Sequence, residues 1–204
     1  MPEVLRLDPD ESLRGLAWER VFAAEGPVEI EIGIGKGRFL LAAAALRPEV
    51  GMLGVEWANK YLRIAEERAA RRGLENVRLV RVDARELLAR AIPDRSVSAY
   101  YVFYPDPWPK TRHHKRRFFW PPTPEHLART LVDDGLLHVA TDHAEYWSMI
   151  EAALAERPEF ARSAEFGGPA FPLPVDEPLT NFESKYRLQS RDRYRATWKR
   201  LPRR

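Results

Sequence analysis

Between Val28 and Ala45 the sequence passes from V-E-I-E-I through G-I-G-K-G into R-F-L-L-A-A-A-A. A strand that runs directly into a glycine loop and then a helix is the opening half of a βαβ unit, and it places the loop at the carboxyl end of a parallel strand. The spacing is G-x-G-x-G, not the G-x-G-x-x-G of dinucleotide sites, and Glu29 and Glu31 stand where a pyrophosphate would be repelled. A cationic ligand without phosphate fits better. S-adenosylmethionine carries an ammonium and a sulfonium, so Glu31 beside the bare backbone of Gly33 and Gly35 suits it.

The following segments repeat the pattern. G-M-L-G-V-E ends on Glu56, two dozen residues after the first glycine, a spacing at which a carboxylate can accept both hydroxyls of a ribose. Lys60 to Arg72 is a charged amphipathic helix closed by Gly73, and Val77 to Val82 is a third strand ending on Asp83. Asp83 has two uses open to it, an adenine amino group or the cap of the helix starting at Ala84. Val97 to Phe103 makes a fourth strand. Helix Pro124 to Leu131, a turn at Asp133-Asp134-Gly135 and a strand Leu136 to Ala140 follow, and the last leads into Thr141-Asp142-His143. Five successive strands thus end near an acid: Glu31, Glu56, Asp83, Asp106 and Asp142. A helix from Ala144, a short strand from Phe160 and a closing strand Tyr194 to Lys199, antiparallel beside the sixth, complete seven strands. Between them Thr180 and Glu183 have capping-box spacing.

The fourth strand delivers Y-P-D-P-W-P-K-T-R-H-H-K-R-R. Three X-Pro pairs stiffen this loop, and each proline pushes the residue before it toward extended backbone. Asp106 and Trp108 are therefore pre-ordered, and the cations Lys110, Arg112, Lys115, Arg116 and Arg117, with His113 and His114 between them, follow directly. An acid and an aromatic ahead of a basic block suit a planar base on a phosphate backbone.

With 204 residues the chain has enough surface to bury for one α/β domain. We expect a helical segment over residues 1–26, from the spacing of Leu13, Leu16, Ala17 and Val21, and a single domain over 27–204. The absence of cysteine removes disulfides and thiolate-held metal, and no metal is expected. The acidic first residues lack a signal peptide's character, and the longest apolar run, Phe39 to Leu46, is far short of a membrane span. A cytoplasmic protein is expected, with monomer and homodimer both open.

The combination of E-I-G-I-G-K-G, P-D-P-W-P-K, R-H-H-K-R-R, T-D-H-A-E-Y at Thr141 to Tyr146 and T-N-F-E at Thr180 to Glu183 resembles bacterial tRNA (guanine-N7)-methyltransferases over about Val28 to Lys199. The resemblance implies a Rossmann-like class I methyltransferase fold: a mostly parallel seven-stranded sheet with helices on both faces. It also implies methylation of the variable-loop guanosine, position 46, of tRNA. Under it Glu31, Glu56 and Asp83 hold S-adenosylmethionine with Gly33 and Gly35. Asp106 takes the catalytic position, and Lys110, Asp142, Thr180, Asn181, Phe182 and Glu183 hold the substrate. Arg112 to Arg117 would meet the RNA backbone. Thr111 and His114 depart from the lysine and asparagine common in the family. Two other readings are an RNA-binding protein that has lost catalysis and a methyltransferase acting on a non-RNA substrate; intact Glu31, Gly33, Gly35 and Glu56 weigh against the first, and the basic block against the second.

Overall fold

The structure, a computed structural model, describes residues 5–23, 25–169, 171–175, 180, 183 and 192–203. Among them β1 (Arg6–Leu7), β2 (Val28–Ile32), β3 (Gly51–Val55), β4 (Val77–Val80), β5 (Val97–Phe103), β6 (Leu131–Thr141), β7 (Phe160–Arg162) and β8 (Tyr194–Arg200) form one sheet in the order β1-β4-β3-β2-β5-β6-β8-β7. The first six pair in parallel, and β8 lies between β6 and β7, antiparallel to both. The sheet therefore has eight strands where seven were expected. The extra one is β1, two residues on the outer edge of β4, continued by a bond from the Leu79 amide to the Leu5 carbonyl.

The helices are α1 (Pro9–Ser12), α2 (Trp18–Val21), α3 (Arg38–Leu46), α4 (Asn59–Arg71), α5 (Ala84–Arg90), α6 (Thr123–Thr130) and α7 (Ala144–Ala155). The apolar faces of α3 and α4, with Phe39, Leu40, Leu41, Leu62, Ala65 and Ala69, pack into one core cluster. Those of α5, α6 and α7, with Leu87, Leu88, Leu127, Tyr146, Ile150 and Leu154, pack into another. Each fully buried leucine or isoleucine in these layers contributes ~1.5–3 kcal/mol. β2, β3 and β4 are buried along their whole length, as strands covered on both faces must be.

Two local expectations change. The periodic stretch Leu13 to Val21 is not one helix: α1 is capped by Asp8 and ends before Gly15, whose φ of +132° cannot continue a helix, and a second short helix follows. Asp133-Asp134-Gly135 is not a turn between elements but an irregularity within β6, where pairing with β5 jumps from Val97↔Leu131 to Ala99↔Leu136 and Asp134 takes a φ of +66°. Bonds from Arg95 and Arg203 to the Asp133 carboxylate hold it there. No helix among the described residues is long and apolar enough to cross a membrane.

Candidate active site

Because β2 to β6 are parallel neighbours, their carboxyl ends share one edge of the sheet, and the loops carrying Glu56, Asp83, Asp106 and Asp142 all leave from it. Its centre is the glycine loop. Gly33 and Gly35 have φ of +75° and +52°, and a Cβ built on either meets nothing within 4 Å, so both border open space. Gly37, with φ +72°, has another purpose: its Cβ would sit 3.0 Å from that of Ala65, so its bareness lets α3 approach α4. The Gly33 amide bonds the Val55 carbonyl at 2.8 Å, tying the loop to β3.

Glu56 closes the arrangement. One carboxylate oxygen accepts the Gly35 amide at 2.9 Å and the other the Ala58 amide at 2.8 Å, so the side chain clamps the glycine loop to the end of β3. Glu31 lies behind, only 2% exposed. Its Oε2 is buried without a hydrogen-bond partner. Burial pushes its carboxyl up to about 8, against a backbone bond from Leu40 at the start of α3 and with a further upward push from the charge of Glu56. Glu29 was expected to stand with Glu31 where a pyrophosphate would be repelled, and here the structure separates the two. Both Glu29 oxygens bond the Arg47 guanidinium, at 2.9 and 2.6 Å, and the Tyr101 hydroxyl donates to it at 2.7 Å. Glu31 is left as the uncompensated acid.

Asp83 caps α5, its Oδ1 accepting the Arg85 amide at 2.9 Å, with the Arg85 guanidinium 3.5 Å from Oδ2. Of its two possible uses the cap is realised, and the side chain remains 46% exposed at the rim. The Arg85 guanidinium also bonds the Lys115 carbonyl at 2.8 Å, joining this corner to the basic block.

The proline-framed loop departs from expectation in its backbone. Tyr104 and Trp108, each preceding a proline, have φ of +53° and +42° and so lie in the left-handed region instead of the extended one. Such conformations cost about 1–3 kcal/mol each and persist only where surrounding contacts impose them. The Tyr104 amide is held by the Ala140 carbonyl at 2.7 Å. Trp108 is packed edge-on by His113 at 5.8 Å and covered by the Arg116 guanidinium at 5.0 Å. Asp106 between them is exposed.

Residues Thr111–Arg116 form a 3-10 helix. Lys110, just before it, and Arg112, Lys115 and Arg116 along it are exposed, while His113 and His114 are half-buried and the His114 Nε2 is enclosed. Arg117 does not belong with them. It is fully buried and paired with Glu145, because its side chain turns inward under the loop, and it cannot meet an RNA backbone there.

Beside the loop a second cluster forms around Tyr104. Burial and the nearby carboxylates of Glu183 and Asp142 push its hydroxyl pKa up, against the pull of Arg193 and Arg195. Glu183 is 2% exposed; its amide bonds the Thr180 hydroxyl at 3.1 Å, the cap expected from the sequence, and its Oε1 meets Arg193 at 2.9 Å. Asn181 and Phe182 lie outside the described residues. Tyr104, Arg193 and Arg195 were not singled out from the sequence. Arg193 and Arg195 stand in the cationic stretch after Arg187, but nothing in their spacing ties them to Glu183.

The chemistry on offer is specific. An unpartnered buried carboxyl oxygen behind a cradle of bare backbone, with a second acid at the next strand end, fits the ammonium and ribose of S-adenosylmethionine. Among the described residues no cluster of His, Asp and Glu is placed to hold a metal ion.

A family model described as "Putative methyltransferase" matches residues 25–196. The chain is 40% identical over 191 residues to the tRNA (guanine-N(7)-)-methyltransferase of Nocardia farcinica (strain IFM 10152), across 90% of this chain and 70% of that protein. It is 36% identical over 168 residues to the protein of that name from Chromohalobacter salexigens, across 82% and 68%. Among solved structures, the antibiotic-resistance methyltransferase Kmr superposes with a TM-score of 0.60 over 92% of both chains at 19% identity, a likeness of fold.

Proposed function

Because this chain belongs to the tRNA (guanine-N7)-methyltransferase family, we propose that it methylates the variable-loop guanosine, position 46, with Asp106 at the reacting base and Glu31, Glu56 and Asp83 around the cofactor. Its activity as a member of that family is S-adenosylmethionine-dependent methylation of tRNA guanosine at N7, on a Rossmann-like methyltransferase fold. The cofactor supplies an electrophilic methyl on a sulfonium; the rest is the protein's work. The single observation that carries the site assignment is the orphaned Glu31 oxygen behind the Gly33–Gly35 cradle. Incubation with unmodified tRNA and labelled cofactor, followed by nucleoside mapping, tests the reaction and its position together.

Guanine N7 carries an in-plane lone pair, so methylation removes no proton and calls for no general base. Positive charge grows on the guanine imidazole ring as the bond forms. A carboxylate fixed nearby gains attraction during that step alone, which lowers the barrier electrostatically, and holding the base in line supplies much of the remainder. Asp106 has that place. Glu183, held by Arg193 at one oxygen, is near enough to Tyr104 for its charge to act there, as is Asp142. In this reading its carboxylate exchanges its contact with Arg193 for the guanine N1-H and exocyclic amine, a donor pair adenine lacks.

Glu31 gives the cofactor site a proton signature. With its carboxyl near 8 it is mostly protonated at pH 7 in the free protein, and an ammonium beside it favours the carboxylate. Cofactor binding at pH 7 therefore releases up to about one proton, and the release fades above pH 8, where the free form is already ionised. Because the folded pKa lies above the unfolded one, Glu31 also favours the unliganded fold at low pH, and that contribution is lost as pH rises through about 8. Calorimetry in two buffers of different ionisation enthalpy reads the proton, and Glu31→Gln should erase the buffer dependence; release unchanged in that variant assigns the proton elsewhere.

The exposed cations Lys110, Arg112, Lys115 and Arg116 meet tRNA phosphates. Replacing Lys115 and Arg116 by Ala lowers tRNA affinity and shrinks the slope of log K against log salt by about 0.7 to 0.9 for each phosphate that is no longer neutralised. Cofactor affinity stays put. An unchanged slope would make the block a solvated surface.

A further inference from the structure

Arg117 closes a run of cations, yet its side chain is fully buried and its donors are spent inside the protein. Nη1 and Nη2 donate to the two Glu145 oxygens at 2.8 and 2.5 Å, Nε donates to the Pro107 carbonyl at 2.7 Å, and the guanidinium lies 4.9 Å from the centre of the Tyr146 ring. Pro107 is the residue after Asp106, and Glu145 stands in the first turn of α7, three residues after Asp142. One planar group thus ties the loop leaving β5 to the helix following β6. Among the described residues it is the one hydrogen-bond donor that reaches the carbonyls of residues 105–109. That stretch is flanked by the left-handed Tyr104 and contains the left-handed Trp108, so it does not hold its shape by backbone preference. Three proline nitrogens in it can donate nothing. Asp106 itself has no hydrogen-bond partner among the described residues, and its charge is felt at the hydroxyl of Tyr146, the residue over whose ring Arg117 lies.

We propose that Arg117 is a positioning residue for methyl transfer, fixing the Asp106 loop against α7 through the Pro107 carbonyl and the Glu145 carboxylate. The proposal rests on the reading of Asp106 as the group at the reacting base. A lysine cannot replace the guanidinium: it presents a point charge without the fork that matches a carboxylate and without a third donor directed at a carbonyl. Glu145, largely exposed, is the partner that keeps the buried cation compensated.

The test compares Arg117→Lys, Asp106→Asn and the double variant in single-turnover methylation of tRNA at saturating enzyme and cofactor. The lysine variant is expected to keep its cofactor affinity, tRNA affinity and salt slope and to transfer methyl about 10- to 100-fold more slowly, the scale of a displaced reacting group. The double variant should be little slower than Asp106→Asn, since both changes act through one carboxylate. Added ethylguanidinium should restore part of the rate to Arg117→Ala. A smaller salt slope with the rate intact would return Arg117 to the phosphate-binding set and overturn the proposal. Loss of cofactor affinity together with thermal stability in Arg117→Lys would make the role merely structural and overturn it too. Multiplicative rate losses in the double variant would overturn the route through Asp106. Should Asp106→Asn keep the parent rate while Arg117→Lys is slow, the reading of Asp106 fails separately.

Discussion

Asp106→Asn should bind S-adenosylmethionine and tRNA as the parent does and transfer methyl about 10² to 10³ times more slowly, the range for removal of one preorganised electrostatic interaction. The substitution keeps shape and removes charge. The backbone around Asp106 is held by the bond from Arg117 to the Pro107 carbonyl and the packing of Trp108 under Arg116, neither of which uses the carboxylate. Folding and ligand affinity therefore have little reason to change. What disappears is attraction to a cation that exists only during and after bond formation. Were Asp106 instead a hydrogen-bond acceptor that orients guanine, Asn would keep one acceptor, and the deficit would appear in tRNA affinity. Single-turnover kinetics with enzyme in excess removes product release from the rate. Methylation near the parent rate at saturation sinks the charge assignment.

Glu56→Ala should lose cofactor affinity by roughly tenfold or more, since a hydrogen bond to a charged group contributes ~1.5–3 kcal/mol. The structure gives this expectation two sources. The carboxylate is the proposed acceptor for the ribose diol, and it is also the clamp between the Gly35 and Ala58 amides. Without it, Gly35, whose φ of +52° only a glycine adopts readily, is freed to sample other conformations, and the cradle must be ordered on binding. Faster amide exchange at Gly35 should accompany the weaker binding. Glu56→Gln, which keeps an acceptor but not the charge, should fall between the two. Binding of tRNA should be nearly intact, because the exposed cations lie on the loop after β5. Equal cofactor affinity in the Ala variant by calorimetry removes Glu56 from the site.

The central sheet was legible because its signals are strong and local. Apolar runs of strand length, each followed by a turn and an amphipathic helix, fix parallel order, and parallel order alone brings Glu56, Asp83, Asp106 and Asp142 to one edge. What sequence could not show falls into recognisable kinds. Arg6–Leu7 is too short for any period to appear, and Asp133-Asp134-Gly135 has turn chemistry that β6 absorbs through Arg95 and Arg203, residues far away in the chain. Glu29 and Glu31 are alike by position, and only the placement of Arg47 and Tyr101 tells them apart. The left-handed Tyr104 and Trp108 run against the preference of residues before proline and are held by tertiary contacts. Arg117 is the same lesson for charge: a cation at the end of a basic run reads as solvated until its buried partner is seen. Thr180 reads as a cap and serves as one, while Arg193, the partner of Glu183, gives no signal of its own.

The two acids of β2 have a consequence for how the chain finds its native pairing. They lie two residues apart on one face of a strand that is buried throughout, and a side chain satisfied by Arg47 and Tyr101 sits at only one of those positions. Sliding β2 by two residues would preserve its apolar pattern, which repeats as V-x-I-x-I, and hydrophobicity alone would not object. It would, however, pull Glu29 off its guanidinium and carry it toward the cradle, a displacement that leaves Arg47 uncompensated. The pair therefore works as a reading frame for the strand, marking which of two similar acids is sealed by a guanidinium and which keeps an oxygen without a hydrogen-bond partner. A variant with Arg47 and Glu29 both made apolar would keep every group proposed for the site and lose that frame, so its fault would show as a mixture of slipped and native molecules emerging from refolding.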